Sequence, residues 1–197
     1  MVLPSLYAIA GDLRAAEALL RGGVKLLQYR HKGPYERRFF DECCRIAELA
    51  REAGATFIVN DRADIALLAG ADGVHVGQDD LPPEAVRRIV GQGKLIGYST
   101  HNEAQARAAE NLPVDYVAIG PVFPTTTKEN PDPVIGLAGV AAARRATRKP
   151  LVAIGGITRE NAGSVIAAGA DSVAVARDLV VAPGVEAAAR QFLNFLH

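Results

Sequence analysis

An α/β fold, a single (β/α)8 barrel over residues 1–197, is what three features of the sequence predict. Short apolar runs recur eight times, with helical patterns between them. The runs are rich in Val, Ile and Leu and show no strict polar alternation, which is how strands buried on both faces of a parallel sheet read. The first run is followed only by Gly11-Asp12. An open doubly wound sheet would usually place a G-x-G-x-x-G loop there. Eight strand–helix pairs within 197 residues therefore suit a compact closed barrel.

Taken in order, strands are expected at residues 6–10, 25–30, 56–61, 73–77, 95–100, 116–120, 151–156 and 172–176. Residues 35–53 carry apolar side chains at helical spacing, and Gly54 follows as a stop. Cys43 and Cys44 are neighbours in that helix and point about 100° apart, a poor geometry for a disulfide or a metal pair. They read as helix-packing residues of a protein kept in a reducing compartment. Residues 82–90 open on prolines and end at Gly91, and residues 102–110 begin with the capping residue Asn102. Thr158 and residues 160–168 make another helix, closed by Gly169. One helix–turn–strand joint is used twice. Ala69-Gly70-Ala71-Asp72-Gly73-Val74-His75-Val76 matches Ala168-Gly169-Ala170-Asp171-Ser172-Val173-Ala174-Val175 in most positions. The longest irregular stretch is 121–136, and such a loop inside a compact domain is usually functional.

Lys and Arg number 22, as do Asp and Glu, so the chain lacks the overall basic charge that holds nucleic acid. Phosphate binding must come from local clusters. No run approaches the length of a membrane span, and the N-terminus shows no basic region followed by an apolar leader. The expectation is a soluble cytoplasmic protein acting on small molecules, with a homo-oligomer left open.

The active site of such a barrel lies at the carboxyl ends of its strands. Strand two ends Gln28-Tyr29-Arg30-His31-Lys32, where Gln28, Arg30 and Lys32 alternate onto one face. An amide and two cations on one spot suit a diphosphate. Strand three ends Asn60-Asp61, and strand four is followed by Gln78-Asp79-Asp80. Neighbouring barrel strands bring Asp61 and Asp80 together, and two carboxylates beside a diphosphate are how Mg2+ is held. Asp80 could instead cap the helix that starts near Pro82. Strand five supplies Ser99 as a hydrogen-bond donor, whereas His75 and His101 read as structural. No Cys or His spacing suggests zinc. The loop after strand six carries Thr125, Thr126, Thr127 and Lys128, a phosphate grip of hydroxyls and one ammonium. Strand seven ends Gly155-Gly156 and strand eight ends Ala176-Arg177, each before a helix. Glycines and helix N-termini after strands seven and eight are the usual phosphate site of these barrels. No nucleophile–base pair for covalent catalysis is evident, so the reaction class is ionisation or displacement of a diphosphate.

The phrases Gln28-Tyr29-Arg30-His31-Lys32, Val59-Asn60-Asp61, Gly73-Val74-His75-Val76-Gly77-Gln78-Asp79-Asp80, Ile96-Gly97-Tyr98-Ser99, Gly120-Pro121-Val122-Phe123-Pro124-Thr125-Thr126-Thr127-Lys128 and Ala153-Ile154-Gly155-Gly156-Ile157 occur in this order. Together they resemble the thiamine phosphate synthases over nearly the whole chain. The resemblance implies a Mg2+-dependent transferase. It would join 4-amino-5-hydroxymethyl-2-methylpyrimidine diphosphate to a thiazole phosphate, giving thiamine phosphate and diphosphate by a dissociative route. It implies that Gln28, Arg30, Lys32, Asn60 and Lys128 hold the pyrimidine diphosphate. Asp61 and Asp80 would bind the metal, and Ser99 would lie against the pyrimidine. The thiazole phosphate would be surrounded by Thr125, Thr127, Gly156, Ala176 and Arg177. Arg177 stands where family members often carry a serine, and the Gly11-Asp12-Leu13 link after strand one is shorter than usual.

Three other readings have weaker support. A thiazole tautomerase-like barrel would carry a histidine where this chain has Pro121. A non-catalytic ligand-binding regulator would be expected to have lost Asp61, Asp80 or Lys128, and all are present. Another phosphate-binding barrel enzyme would explain loops seven and eight but not the carboxylate pair.

Overall fold

The computed structural model describes residues 2–31, 33, 36–125, 132–180 and 184–196. Eight parallel strands follow one another around a closed ring: β1 (Leu6–Ala10), β2 (Leu26–Tyr29), β3 (Thr56–Asn60), β4 (Gly73–Val76), β5 (Leu95–Thr100), β6 (Tyr116–Ile119), β7 (Leu151–Ile154) and β8 (Ser172–Val175). β8 pairs back onto β1 through Leu6↔Val173 and Ala8↔Val175. The helices between them are α1 (Leu13–Arg21), α2 (Arg37–Glu52), α3 (Ala63–Leu68), α4 (Pro83–Val90), α5 (Glu103–Ala109), α6 (Gly136–Ala146), α7 (Arg159–Ala167) and α8 (Val185–Leu196). A single 3-10 turn, Arg177–Leu179, follows β8. The expected (β/α)8 barrel is therefore what forms. Among the described residues no helix is long and apolar enough to cross a membrane.

Side chains alternate along each strand, so the ring has two cores. Leu6, Ala8, Leu27, Phe57, Val59, Val74 and their equivalents point outward and pack under the helices. Tyr7, Ile9, Leu26, Ile58, Tyr116, Ala118, Val152 and Ala174 point inward and fill the barrel. Both faces of every strand are thus buried, which is why the apolar runs lack polar alternation.

The expected cap operates at α5, where Asn102 accepts a hydrogen bond from the Gln105 N–H at 2.9 Å, and Asp12 does the same for α1 by accepting from the Ala15 N–H at 2.8 Å. Several strands end one or two residues earlier than the sequence suggests. The residues just beyond them still make ladder-like bonds: Arg30 N donates to Ala10 O at 2.9 Å, and Asp61 N donates to His75 O at 2.8 Å. Cys43 is buried in α2 and both cysteines are free thiols, with burial pushing the Cys43 thiol up to about 12.

The joint repeated in the sequence has a structural cause. Asp171 N donates to Leu151 O at 2.8 Å, and the Asp171 carboxylate accepts the Leu151 N–H in return at 2.7 Å. Asp72 brackets Phe57 in the same way, at 2.9 and 2.8 Å. Asp115, which opens the related stretch Asp115-Tyr116-Val117-Ala118-Ile119, brackets Ile96 at 2.8 and 2.7 Å. Each bracket ties the start of an even-numbered strand to the start of the preceding odd one. Arg144 braces Asp171 at 2.8 Å, and Arg87 braces Asp115 at 2.6 Å. These bonds lie at the amino ends of the strands, the face of such barrels that serves stability. Asp171→Ala leaves the Leu151 N–H without its acceptor and is expected to cost about 1–3 kcal/mol. Urea unfolding measures the loss.

Candidate active site

At the carboxyl ends of the strands the barrel opens into a cavity of about 760 Å³. Small-molecule sites fall between about 300 and 1,000 Å³, so there is room for two modest substrates side by side. Gln28, Arg30, Asn60, Asp61, Asp80, Ser99, Thr125, Gly156, Ala176 and Arg177 all line it. Ten of the fourteen residues singled out from sequence thus share one mouth. The other four, Lys32, Thr126, Thr127 and Lys128, lie outside the described residues.

The carboxylate side is built around Asp61. It has a backbone φ of 64°, the sole non-glycine positive φ among the described residues. Arg62 N closes a tight turn onto Asn60 O at 2.8 Å. Aspartate tolerates this left-handed conformation better than most residues, and backbone strain of this kind gathers at functional sites. Burial, the charge of Asp80 and a hydrogen bond with it push the Asp61 carboxyl up to about 6, while Arg30 pulls it the other way. Asp80 accepts the Gly77 N–H at 2.7 Å, and the first residues of α4 receive no side-chain cap. Asp80 therefore faces Asp61 and does not cap that helix. Among the described residues no three His, Cys, Asp or Glu side chains gather as a metal cluster. What stands here is a pair of hard oxygen donors whose mutual repulsion is only partly relieved.

Beneath the pair runs a chain of buried polar groups in which Gln28, Ser99 and the structural His75, all singled out from sequence, are joined by Tyr7 and Tyr116, which were not. Gln28 Nε2 donates to Tyr7 Oη at 2.9 Å, Tyr7 Oη meets Tyr116 Oη at 2.8 Å, and Tyr116 Oη meets His75 Nδ1 at 3.1 Å. His75 Nε2 then meets Ser99 Oγ at 2.8 Å. Burial holds the His75 ring down at about 4, so it is neutral at physiological pH, and burial raises both tyrosines far above their ordinary value. Tyr7 and Tyr116 lie two residues before the inward-facing Ile9 and Ala118 of their own strands, and His75 two before Gly77, which lines the cavity just past the end of β4, but within apolar strands no local sequence signal separates the inward face from the outward.

The opposite wall is made by loops six to eight. Val122 N donates to Ile154 O at 2.9 Å and Phe123 N to Gly155 O at 3.0 Å, so the chain leaving β6 stays bound to the end of β7. The Gly120–Pro121 peptide is cis. Gly156 has φ 63°, and a Cβ there would stand 2.6 Å from Pro124 O and 2.8 Å from Phe123 Cβ. Only glycine lets loop six close down on loop seven, and Thr125, next along loop six, lines the cavity. Thr158 N donates to Asn161 Oδ1 at 2.8 Å at that helix start, and Asp178 accepts Arg159 N–H at 3.1 Å. His101, at the rim, bonds the Gly120 carbonyl through Nδ1 at 2.9 Å, in keeping with its structural reading.

Comparison with known proteins follows the same lines. The profile of a family described as thiamine monophosphate synthase matches residues 6–179. A thiamine-phosphate synthase of Koribacter versatilis is 50% identical over 207 aligned residues, covering 99% of this chain and 97% of that protein. One from Pelotomaculum thermopropionicum is 44% identical, covering 91% of this chain and 82% of that one. The solved structure of a thiamine phosphate pyrophosphorylase from Pyrococcus furiosus superimposes with a TM-score of 0.89 at 33% identity, covering 98% of this chain and 95% of that one. Orotidine 5'-phosphate decarboxylase from Pyrococcus horikoshii, at 17% identity and a TM-score of 0.71, shares the fold alone. The chain belongs to the thiamine monophosphate synthase family and is an enzyme, a transferase.

Proposed function

We propose that this transferase joins 4-amino-5-hydroxymethyl-2-methylpyrimidine diphosphate to a thiazole phosphate, with Mg2+ held by Asp61 and Asp80. The observation that carries the reading is the shared mouth. An Asp pair and Arg30 stand on one wall of the cavity, with Gly156 and the start of α7 on the other. The donor set suits the ion: Asp61 and Asp80 would offer it two hard oxygens, and the Asp61 carboxyl pushed up to about 6 reflects surplus negative charge that a cation would relieve. When bound, the ion would neutralise charge gathering on the leaving diphosphate.

The chain's own residues do the rest. Arg30 presents a planar fork of donors to the diphosphate, joined by the amides of Gln28 and Asn60 and the ammoniums of Lys32 and Lys128. Their charge favours heterolysis, in which the bonding pair of the carbon–oxygen bond leaves with the diphosphate. Ser99 orients the aminopyrimidine, whose methylene cation is stabilised by its own ring. The thiazole nitrogen then gives its lone pair to form the new carbon–nitrogen bond. Thr125, Thr126, Thr127, Gly156, Ala176 and Arg177 hold the thiazole phosphate at the positive end of α7, fixing the nitrogen in line. The apolar floor of Ile9, Ala118, Val152 and Ala174 keeps water from capturing the cation first. No stretch of the described chain crosses a membrane as a helix, and the cytoplasm is the compartment this reading assigns.

Product formation tests the reading. Purified protein with both substrates and Mg2+ should yield thiamine phosphate by mass spectrometry, and EDTA should abolish it. Asp61→Asn keeps the size and the left-handed tolerance but removes the charge, so it should eliminate metal-dependent turnover in a folded protein. Wild-type Mg2+ dependence in that variant would sink the assignment. Arg30→Ala should lower kcat/KM for the pyrimidine diphosphate by about 100-fold or more. Unchanged kinetics would move the leaving-group site elsewhere.

The pH dependence has a defined sign. A proton and the cation compete for Asp61, whose carboxyl is raised to about 6. Mg2+ affinity should hold above pH 6 and fall about tenfold per pH unit below it. Calorimetric titration with Mg2+ at several pH values measures this, and an affinity flat down to pH 4.5 would contradict it.

A further inference from the structure

The buried chain under the cavity draws on five strands: Gln28 from β2, Tyr7 from β1, Tyr116 from β6, His75 from β4 and Ser99 from β5. Such a chain can run its hydrogens in either direction. The two directions present opposite chemistry at the Ser99 end, a free hydrogen or free lone pairs. Gln28 decides between them. Its amide nitrogen can only donate, and it donates to Tyr7 Oη at 2.9 Å. Tyr7 is 1% exposed, and among the described residues its hydroxyl has Gln28 and Tyr116 as its partners. If Tyr116 donated to Tyr7, the Tyr7 hydrogen would be buried without an acceptor, an arrangement native proteins avoid. Tyr7 therefore donates to Tyr116. Tyr116 in turn donates to His75 Nδ1. A ring nitrogen that accepts a hydrogen bond is bare, so the imidazole carries its hydrogen on Nε2. Nε2 then donates to Ser99 Oγ, which leaves the serine's own hydrogen turned elsewhere, and Ser99 lines the cavity.

Gly97 shows that the link is built in. A Cβ at that position would stand 2.1 Å from Tyr116 Cζ and 2.4 Å from His75 Nδ1, so the tyrosine and the histidine meet only because this residue is glycine.

We propose that Tyr7, Tyr116 and His75 are positioning residues: the chain they form with Gln28 fixes His75 as the Nε2–H tautomer and holds Ser99 as a donor toward the substrate. The site then selects a ligand with a lone pair at that point, such as a ring nitrogen of an aminopyrimidine, and disfavours one presenting an N–H there. The choice of ligand rests on the proposed reaction, while the order of hydrogens in the chain does not.

The test is the ring-nitrogen NMR spectrum of 15N-histidine-labelled protein at neutral pH without substrates. The chain has four histidines, and His75 is assigned by the signal missing in His75→Gln. The expected spectrum has a protonated Nε2 and an Nδ1 displaced by accepting a hydrogen bond. Tyr116→Phe should move Nδ1 toward the position of an unbonded ring nitrogen. Tyr7→Phe does not touch His75, yet should move Nδ1 the same way by a smaller amount. Each removes one oxygen, and thermal unfolding checks that the variants remain folded. His75 protonated on Nδ1 would overturn the proposal, because the chain would run backward with Gln28 turned about. A response to Tyr116→Phe with none to Tyr7→Phe would also overturn it, because the bonds would be separate contacts. These readings need no turnover, so failure to form thiamine phosphate would count against the reaction alone.

Discussion

A ring of eight parallel strands encloses a space that only alternate residues of those strands can fill, and every other feature of this protein depends on how it is filled. In the lower barrel the filling is apolar, with Leu26, Ile58 and Val152 in contact. Higher up the chain places two tyrosines, a histidine and a glutamine, all buried. Their polar atoms cannot reach bulk water, so each must find a partner across the ring. Tyr7 and Tyr116 meet edge to face with centroids 5.9 Å apart, which brings their hydroxyls together at the barrel axis. Beside the apolar Ile9, Ala118, Val152 and Ala174, the base of the cavity therefore carries a polar assembly whose parts hold one another, and Ser99 is bonded to its end through His75.

Charge is arranged on the same principle. The chain as a whole is neutral, so the cavity cannot draw on a general field to attract or hold phosphates. It relies on a few groups at close range in a setting of low dielectric. Arg30 and Asp80 act on Asp61 in opposite directions, and Asp80 together with burial prevails. A site left with excess negative charge beside an arginine is suited to taking up a cation and an anion at once. Each partner would make room for the other, since the diphosphate brings oxygens for the metal and the metal offsets the charge of the diphosphate.

Much of this was legible in the sequence, for identifiable reasons. The eight strands could be read because burial on both faces produces continuous apolar runs. Arg30, Asn60, Asp61, Asp80 and Ser99 could be read because each is a polar residue interrupting or following such a run. Helices α1, α3, α6 and α8 could not be bounded individually. α3 has six residues, and α6 is dominated by alanine, so neither shows a decisive stripe. Tyr7 and Tyr116, and the link that the structural His75 makes to them, escaped for a deeper reason. They lie within apolar strands, where nothing in the local pattern tells inward from outward. Their common direction appears only once the register around the ring is known, with Asn60 opposite His75, His75 opposite Gly97 and Ser99 opposite Ala118.

Aspartate makes the same point from the other side. Asp72, Asp115 and Asp171 sit at the amino ends of strands, and Asp61 and Asp80 at the carboxyl ends. Each of the first three accepts a strand N–H, and two of them are also braced by an arginine. Their negative charge is used up within the fold. Asp61 instead faces another carboxylate, in a backbone conformation that few residues tolerate. One residue type thus fastens one end of the barrel and equips the other, and the difference lies in the partners that the register supplies. A carboxylate whose neighbours answer its charge stabilises the protein, whereas one whose neighbour repeats that charge remains available to a ligand.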